Sequence, residues 1–157
     1  MTVHGRHRAA WGDEHGAVAG VEALAFGVLV FVLGTLLVAN LWAVVDGRSA
    51  ADGAARSAAR AVITADPGSD VGGVAHSAAT EALRAHGVPA DRVPSVTLAG
   101  DLVRCGVVEV TVVHRVPLAV LPQFGARRAA VSVRATHAAV VDPYASGLPA
   151  ATGVPCA

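Results

Sequence analysis

The longest hydrophobic pattern in the chain is an apolar run from Ala23 to Val45 that contains no charged side chain. Thr35 and Asn40 are its polar interruptions. At about 1.5 Å of rise per residue, a helix of this length crosses a hydrocarbon layer of about 30 Å. The run therefore predicts one transmembrane helix at about residues 23–45, and it makes membrane lipid the first expected partner.

Two alternatives to a membrane helix fit this run less well. A buried core helix needs apolar surface on every side, and a chain of 157 residues has little to offer beyond the run itself. A cleaved secretory signal usually has an apolar region of about 7 to 15 residues after a basic start. The run is longer than that, and Asp13 and Glu14 precede it.

The helical pattern continues beyond the apolar run. Residues 46–65 are rich in alanine, and Asp52 precedes Arg56 by the four positions that allow ion pairing along a helix. A breaker cluster follows at residues 66–68. The pattern predicts a nearly continuous helix over residues 17–65, of which the first part lies in the membrane.

One face of this helix consists of small residues. Gly20, Gly27 and Gly34 recur at seven-residue spacing, which places them along one stripe of the helix. Glycines in such a stripe let the backbones of two membrane helices approach closely. The stripe favours packing against another helix; the alternative is that glycine is common throughout this chain and in membrane helices.

The pattern changes after residue 68, and it predicts a second helix. Apolar positions between 71 and 83 recur at helical spacing, after Ser69 or Asp70 as the N-cap and before Gly87 and Pro89. This segment is expected to form a short helix.

Three later stretches alternate between apolar and polar residues, which is typical of strands with one buried face. Their apolar positions are Val96 and Leu98; then Val108, Val110, Val112, Val116 and Leu118; then Val131, Val133, Ala135, Ala139 and Val141. Residues 66–141 are expected to form an α+β domain in which a three-stranded antiparallel sheet packs on helix. Residues 142–157 lack periodicity and are expected to be a loop-like tail.

Charge and composition exclude one class of partner. Twelve basic residues, all of them arginine, balance twelve acidic ones, and aromatic residues make up 4% of the chain. No net positive charge is present to attract nucleic acid, and few aromatic side chains are present to stack on bases. We therefore expect no nucleic-acid partner.

No catalytic motif is found in the sequence. A phosphate-binding glycine loop, a nucleophile elbow and an acid pair in a recognisable motif are all missing, so we expect no catalytic residues and no enzymatic activity. Cysteine and histidine spacings typical of zinc are missing too, and no metal or cofactor is expected. His114 and His137 both occupy the inward phase of adjacent strands and could approach one another. We interpret them as core or edge histidines with a hydrogen-bond partner.

The two cysteines, Cys105 and Cys156, lie on the same side of the apolar run. In an oxidising compartment such a pair is expected to form a disulfide, with two free thiols as the alternative. The arginines that flank the run do not favour a cytoplasmic N-terminus, so the positive-inside rule does not decide the orientation. The cysteine pair favours a C-terminal domain outside the cytoplasm.

Glu22 stands at the mouth of the apolar run, and a carboxylate at the bilayer centre costs about 2.5–3.5 kcal/mol. As an edge residue it could instead reach the headgroups. Residues 15–22, HGAVAGVE, are followed directly by the apolar helix. This arrangement resembles the processing region of pseudopilins. More specifically, it is similar to the TadE/TadG-like group of the tight-adherence (Flp) pilus assembly system, in its actinobacterial type.

The resemblance implies roles for three residues. A membrane-embedded prepilin peptidase would cut after Gly16, Ala17 would become the new N-terminus, and Glu22 would pair with the N-terminal amine of a neighbouring subunit. Glu22 is the sixth residue after this cut, whereas the family usually has glutamate at the fifth.

The resemblance also implies a cytoplasmic leader at residues 1–16, an extracytoplasmic domain and a structural role in a pilus or secretion filament. The expected partners are other pilin-like subunits, or a second copy of the chain, bound through the membrane helix. The alternative is a single-pass, membrane-anchored envelope domain that binds a partner or ligand and is neither processed nor polymerised.

Overall fold

The computed structural model describes residues 15–89, 91–92, 94–118 and 129–150. In these ranges the elements are α1 (His15–Ile63), α2 (Val71–Ala85), β1 (Ser95–Ala99), β2 (Val107–Pro117) and β3 (Ala130–Val140). A long apolar N-terminal helix, a short second helix and a three-stranded antiparallel sheet confirm the predicted α+β fold. The chain divides into two compact units between Val38 and Ala39, inside α1.

Helix α1 is 49 residues long, and its bounds differ slightly from the predicted 17–65. At its C-terminal end the Thr64 N–H donates to the Arg60 carbonyl at 3.2 Å, whereas the Ala65 N–H donates to the Val62 carbonyl at 3.2 Å. The hydrogen bonds thus shorten from four-residue to three-residue steps, which tightens the last turn and ends the helix.

The sheet has the order β1-β2-β3, so β2 is its central strand. Every second residue of β2 from Val108 to Val116 is buried, and the intervening residues are partly or fully exposed. Thr111 pairs with Thr97 on one side and with Thr136 on the other. The hydroxyls of Thr111 and Thr136 lie 2.8 Å apart, within hydrogen-bonding distance. One face of the sheet therefore builds the core, as the alternation predicts.

The outer part of α1 contributes short side chains to this core. Ala51 is buried in a smaller cluster with Val116 and Val133. The residues buried in the main core are Ala50, Ala54, Ala55, Ala58, Ala59 and Val62, each no more than 2% exposed. They pack with residues of α2 and β2, namely Ala75, Ala79, Leu83, Val108, Val110 and Val112. Because alanine ends at Cβ, the helix can lie close to the elements that it covers.

Helix α2 ends as its sequence predicts. Gly87 has a φ of +79°, a left-handed conformation that glycine adopts without steric cost. The Val88 N–H donates to the Leu83 carbonyl at 3.0 Å, and the Gly87 N–H donates to the Arg84 carbonyl at 2.9 Å. These bonds form a Schellman motif. At the other end, Asp70 rather than Ser69 is the N-cap residue.

The chain after β3 is attached to the segment that precedes β2. Val141 is fully buried, and its N–H donates to the Gly106 carbonyl at 2.9 Å. The Arg104 N–H donates to the Pro149 carbonyl at 2.8 Å. Of the tail predicted at 142–157, the described part up to residue 150 consists of turns and one isolated bridge, from Arg104 to Ala150. Backbone hydrogen bonds therefore hold this part in place.

Candidate functional site

Most of the apolar segment of α1 is exposed, and Leu36, Asn40, Ala43 and Val44 are partly buried. Among the exposed large apolar side chains from Val21 to Val45, the exposed fraction runs from 46% at Val32 to 74% at Phe31 and Trp42. Its apolar window has a mean hydropathy of 2.5, and none of that window is buried. A core helix of a soluble protein is mostly buried, unlike this one. The helix is long and apolar enough to span a membrane.

Glu22 lies near the start of this segment and is exposed. Within the described residues it makes no hydrogen bond or ion pair. The described residues therefore offer no cation that compensates for a carboxylate placed beside apolar surroundings. A compensating group has to come from water, from lipid or from another molecule.

The glycine stripe is open. A Cβ placed on Gly20, Gly27 or Gly34 would meet no atom within 4 Å. Packing within the described residues thus does not require glycine at these positions. At about 100° per residue, Glu22 lies roughly 160° around the helix from Gly20. The two features are therefore on different faces of α1.

Gly16 and Ala17, the predicted processing positions, belong to the first turn of α1, which begins at His15. The peptide bond between them is therefore part of the helical backbone. A peptidase that cuts there has to open the backbone of α1 locally.

At Gly47 the helix comes close to β2. A Cβ on this glycine would collide with the Val116 side chain, so the close approach requires glycine. His114 is 5% exposed, and its Nε2 donates to the Gly47 carbonyl at 3.1 Å. The prediction of a core histidine with a hydrogen-bond partner is confirmed for His114.

The expectation that His114 and His137 approach one another is wrong. Both belong to the inward face, but His114 pairs with Val133 whereas His137 pairs with Val110. An offset of four residues separates them by about 13 Å along the strands. Within the described part of the chain, no group of three or more histidine, cysteine or acidic side chains could hold a metal ion.

Cys105 is disulfide-bonded. It has a φ of +63°, and its N–H donates to the Val141 carbonyl at 3.1 Å, which fixes its backbone beside the start of the tail. Cys156, the partner expected from the sequence, lies outside the described residues. The pairing of Cys105 with Cys156 therefore stays a prediction.

Comparisons of the chain with protein-family models, with curated proteins and with solved structures found no match.

Sequence reasoning did not identify Gly47 as a contact position. The signal that could have found it is its place two residues after the apolar run, where a glycine interrupts an otherwise helix-favouring stretch. A conspicuous glycine inside a helix often marks a close approach of two backbones.

Proposed function

We propose that this chain is a membrane-anchored, pseudopilin-like structural or assembly subunit of a tight-adherence type pilus or secretion filament. The observation that carries the proposal is that the two parts of α1 have different surroundings. The apolar window of its membrane segment has no buried residue, whereas its outer part carries the alanines of the domain core. A single helix that anchors the chain and also builds the domain suits a subunit that is held in lipid before assembly.

Two different helix faces support assembly into a filament rather than a closed dimer. Glu22 and the glycine stripe lie on different faces, and each lacks a partner among the described residues. Contacts between two unlike surfaces repeat from one subunit to the next, and they generate an open helical assembly where the rotation does not close into a ring. In this arrangement the stripe packs against one neighbour while Glu22 contacts another.

The proposed charge partner of Glu22 is the N-terminal amine of Ala17 on a neighbouring subunit, created when a prepilin peptidase cuts after Gly16. In apolar surroundings an unpaired carboxylate is costly, and a cation beside it offsets that cost. Pairing of this kind would favour assembled over isolated subunits.

The proposed location is the cell membrane, with the N-terminus in the cytoplasm and the domain outside it. Cys105 supports this orientation because it is disulfide-bonded, and disulfides persist in oxidising compartments.

A second candidate function is a single-pass, membrane-anchored envelope domain that is neither processed nor polymerised. The distance between Gly16 and Glu22 favours this second function. Glu22 is the sixth residue after Gly16, whereas the pseudopilin-like family usually has its glutamate at the fifth. Mass spectrometry of the mature N-terminus separates the two functions. A new terminus at Ala17 supports processing, whereas an intact leader supports the anchor.

Replacement of Glu22 with alanine tests the assembly role. Insertion of the Glu22→Ala chain into membranes should be unchanged, because an apolar side chain suits the segment. The fraction of subunits recovered in sheared filaments should fall by about tenfold or more, which corresponds to a loss of at least ~1.4 kcal/mol.

The matched control is Glu81→Ala, which removes a glutamate from the exposed surface of α2. This variant should insert and assemble as the unmodified chain does. Equal incorporation of the Glu22→Ala and Glu81→Ala chains would refute the assembly role of Glu22.

A further inference from the structure

Two neighbouring grooves open where β2 passes Gly47. The smaller, of about 210 Å³, is bordered by residues of α1 that include Ala43, Asp46 and Gly47. The larger, of about 550 Å³, is lined by Asp91, Arg92, Ser95, His114, Arg115 and Ser132, together with Val113. Arg92 and His114 border both. We refer to the larger one as the arginine groove.

The arginine groove is suited to an anion. Arg92 and Arg115 supply two positive charges against the single carboxylate of Asp91, and Ser95 and Ser132 add hydroxyl donors. Within the described residues neither guanidinium group makes an ion pair or a hydrogen bond. Two guanidinium groups that are not neutralised by the chain can both bind one phosphate, because their planar donors match its oxygens.

His114 adds a second, independent observation at the wall of this groove. Since the Gly47 carbonyl can only accept a hydrogen bond, Nε2 of His114 must carry the hydrogen. Its other ring nitrogen, Nδ1, is buried and has no hydrogen-bond partner. Buried polar atoms normally have partners, so an unpartnered one calls for an explanation. The side chain of His114 is thus a buried polar group with one unsatisfied atom, and it lines the same groove as the two arginines.

The smaller groove lies at the end of the apolar run, and the arginine groove is next to it. Asp46 and Gly47 follow directly after Val45, the last residue of the run, and both line that groove. Trp42, one turn earlier, is 74% exposed. Tryptophan is enriched at the level of the lipid headgroups in membrane proteins. A chain anchored through this run would therefore present the grooves to headgroups.

We infer that the arginine groove binds the phosphate of an anionic phospholipid from the surrounding bilayer. Arg92 and Arg115 hold the phosphate oxygens, and the serine hydroxyls complete the contacts. The inference rests on the proposed membrane anchoring. It goes beyond that function, because it assigns a lipid-binding site to the domain and not to the apolar helix. Such a contact would hold the domain against the membrane surface before assembly.

The test uses the full chain reconstituted into nanodiscs of phosphatidylcholine with added phosphatidylglycerol. Retention of phosphatidylglycerol on the extracted chain is measured by native mass spectrometry. The Arg92→Gln/Arg115→Gln chain should retain it about tenfold more weakly, because each arginine near an anionic surface contributes to lipid binding. The charge-matched Arg60→Gln/Arg134→Gln chain, altered at exposed sites outside the groove, should retain it as the unmodified chain does.

Four outcomes would overturn the inference. Equal losses in the two double variants would indicate general surface attraction. Displacement of the lipid by inorganic phosphate at millimolar concentration would indicate a site for the free ion. Retention of phosphatidylglycerol no stronger than that of phosphatidylcholine, in a chain that inserts normally, would refute the lipid site alone. A chain that fails to enter nanodiscs would refute the membrane function as well.

Discussion

At the scale of single residues, Gly47 and Gly34 show how the same residue type serves two purposes in one helix. A side chain at Gly47 would collide with Val116, whereas a side chain at Gly34 would meet nothing within 4 Å. The first glycine is therefore required by the packing of the domain. Gly34 contacts no described residue that would exclude a larger side chain.

The Gly47→Leu change should lower the free energy of unfolding of the domain by about 1–3 kcal/mol or more, because the added side chain forces β2 away from α1. The measurement is chemical unfolding of the detergent-solubilised chain, followed by circular dichroism.

Gly34→Leu is the control for this change, since it adds the same side chain where space is open. It should leave the stability of the domain unchanged. Equal stability of the two variants would show that Gly47 does not determine the approach of the helix to the sheet.

The histidines show that the alternation of a strand predicts which face a residue occupies but not which residue it lies beside. The alternation of β2 correctly places His114 on the buried face. It does not give the register between β2 and β3, which depends on how the connecting segment closes the hairpin. For that reason the proximity expected for His114 and His137 is wrong, although the face assigned to each is right.

At the scale of elements, α1 carries two patterns in one continuous helix. Up to Val45 its apolar residues are distributed around the whole circumference, and most are exposed. Beyond Gly47 its buried residues lie on one side, which packs on α2 and on the sheet. A helix that is apolar all round requires apolar surroundings, whereas a helix with one apolar face requires a single partner surface.

The glycine stripe should mediate association between copies of α1. Gly27→Leu should reduce the fraction of crosslinked dimers of the full chain in detergent by about tenfold, because a leucine keeps the two backbones apart. The measurement is site-specific crosslinking at matched protein-to-detergent ratios.

The control is Val28→Leu, at the adjacent position and off the stripe, which should leave the dimer fraction unchanged. If the Gly27→Leu chain forms as many dimers as the unmodified chain, the stripe does not mediate association. The glycines would then reflect only how common glycine is in this chain.

The helices and strands are the part of the fold that the sequence predicts well. Strands β1, β2 and β3 contain the alternating positions expected for them, except that Leu118 and Val141 come directly after β2 and β3, and α2 ends at the predicted glycine. The spacing of apolar residues and the positions of helix-breaking residues are local signals. They identify helices and strands without knowledge of the tertiary contacts. The close approach at Gly47 depends on elements far apart in sequence, and local signals do not contain it.

At the scale of the whole molecule, the tail is tied back to the domain. Val141 is fully buried, and backbone hydrogen bonds continue to Pro149, whose carbonyl accepts from Arg104. Cys105 is disulfide-bonded beside this contact. The sequence predicts a loose loop for this segment because its composition lacks periodicity, and composition alone does not reveal such backbone pairing.

Loss of the disulfide should destabilise the domain markedly. If Cys105 is linked to Cys156, the bond closes a loop of about fifty residues and contributes roughly 4 kcal/mol in the chain-entropy model. The Cys105→Ser chain should unfold at a correspondingly lower denaturant concentration than the unmodified chain. The measurement is denaturant unfolding with and without reductant.

Reductant should destabilise the unmodified chain and leave the Cys105→Ser chain unaffected, which separates loss of the bond from the effect of the substitution. A non-reduced peptide map that links Cys105 to a cysteine of a second molecule would contradict the intramolecular pairing.

The use of alanine on the covered face of α1 has a consequence for biosynthesis. His114 is synthesised 67 positions after Gly47, its partner on the helix. At roughly 5–20 residues per second, the part of that face that β2 covers waits on the order of 3–13 s for its partner. Methyl groups expose little apolar area in the meantime, so the nascent helix stays less prone to aggregate than one lined with leucine would be.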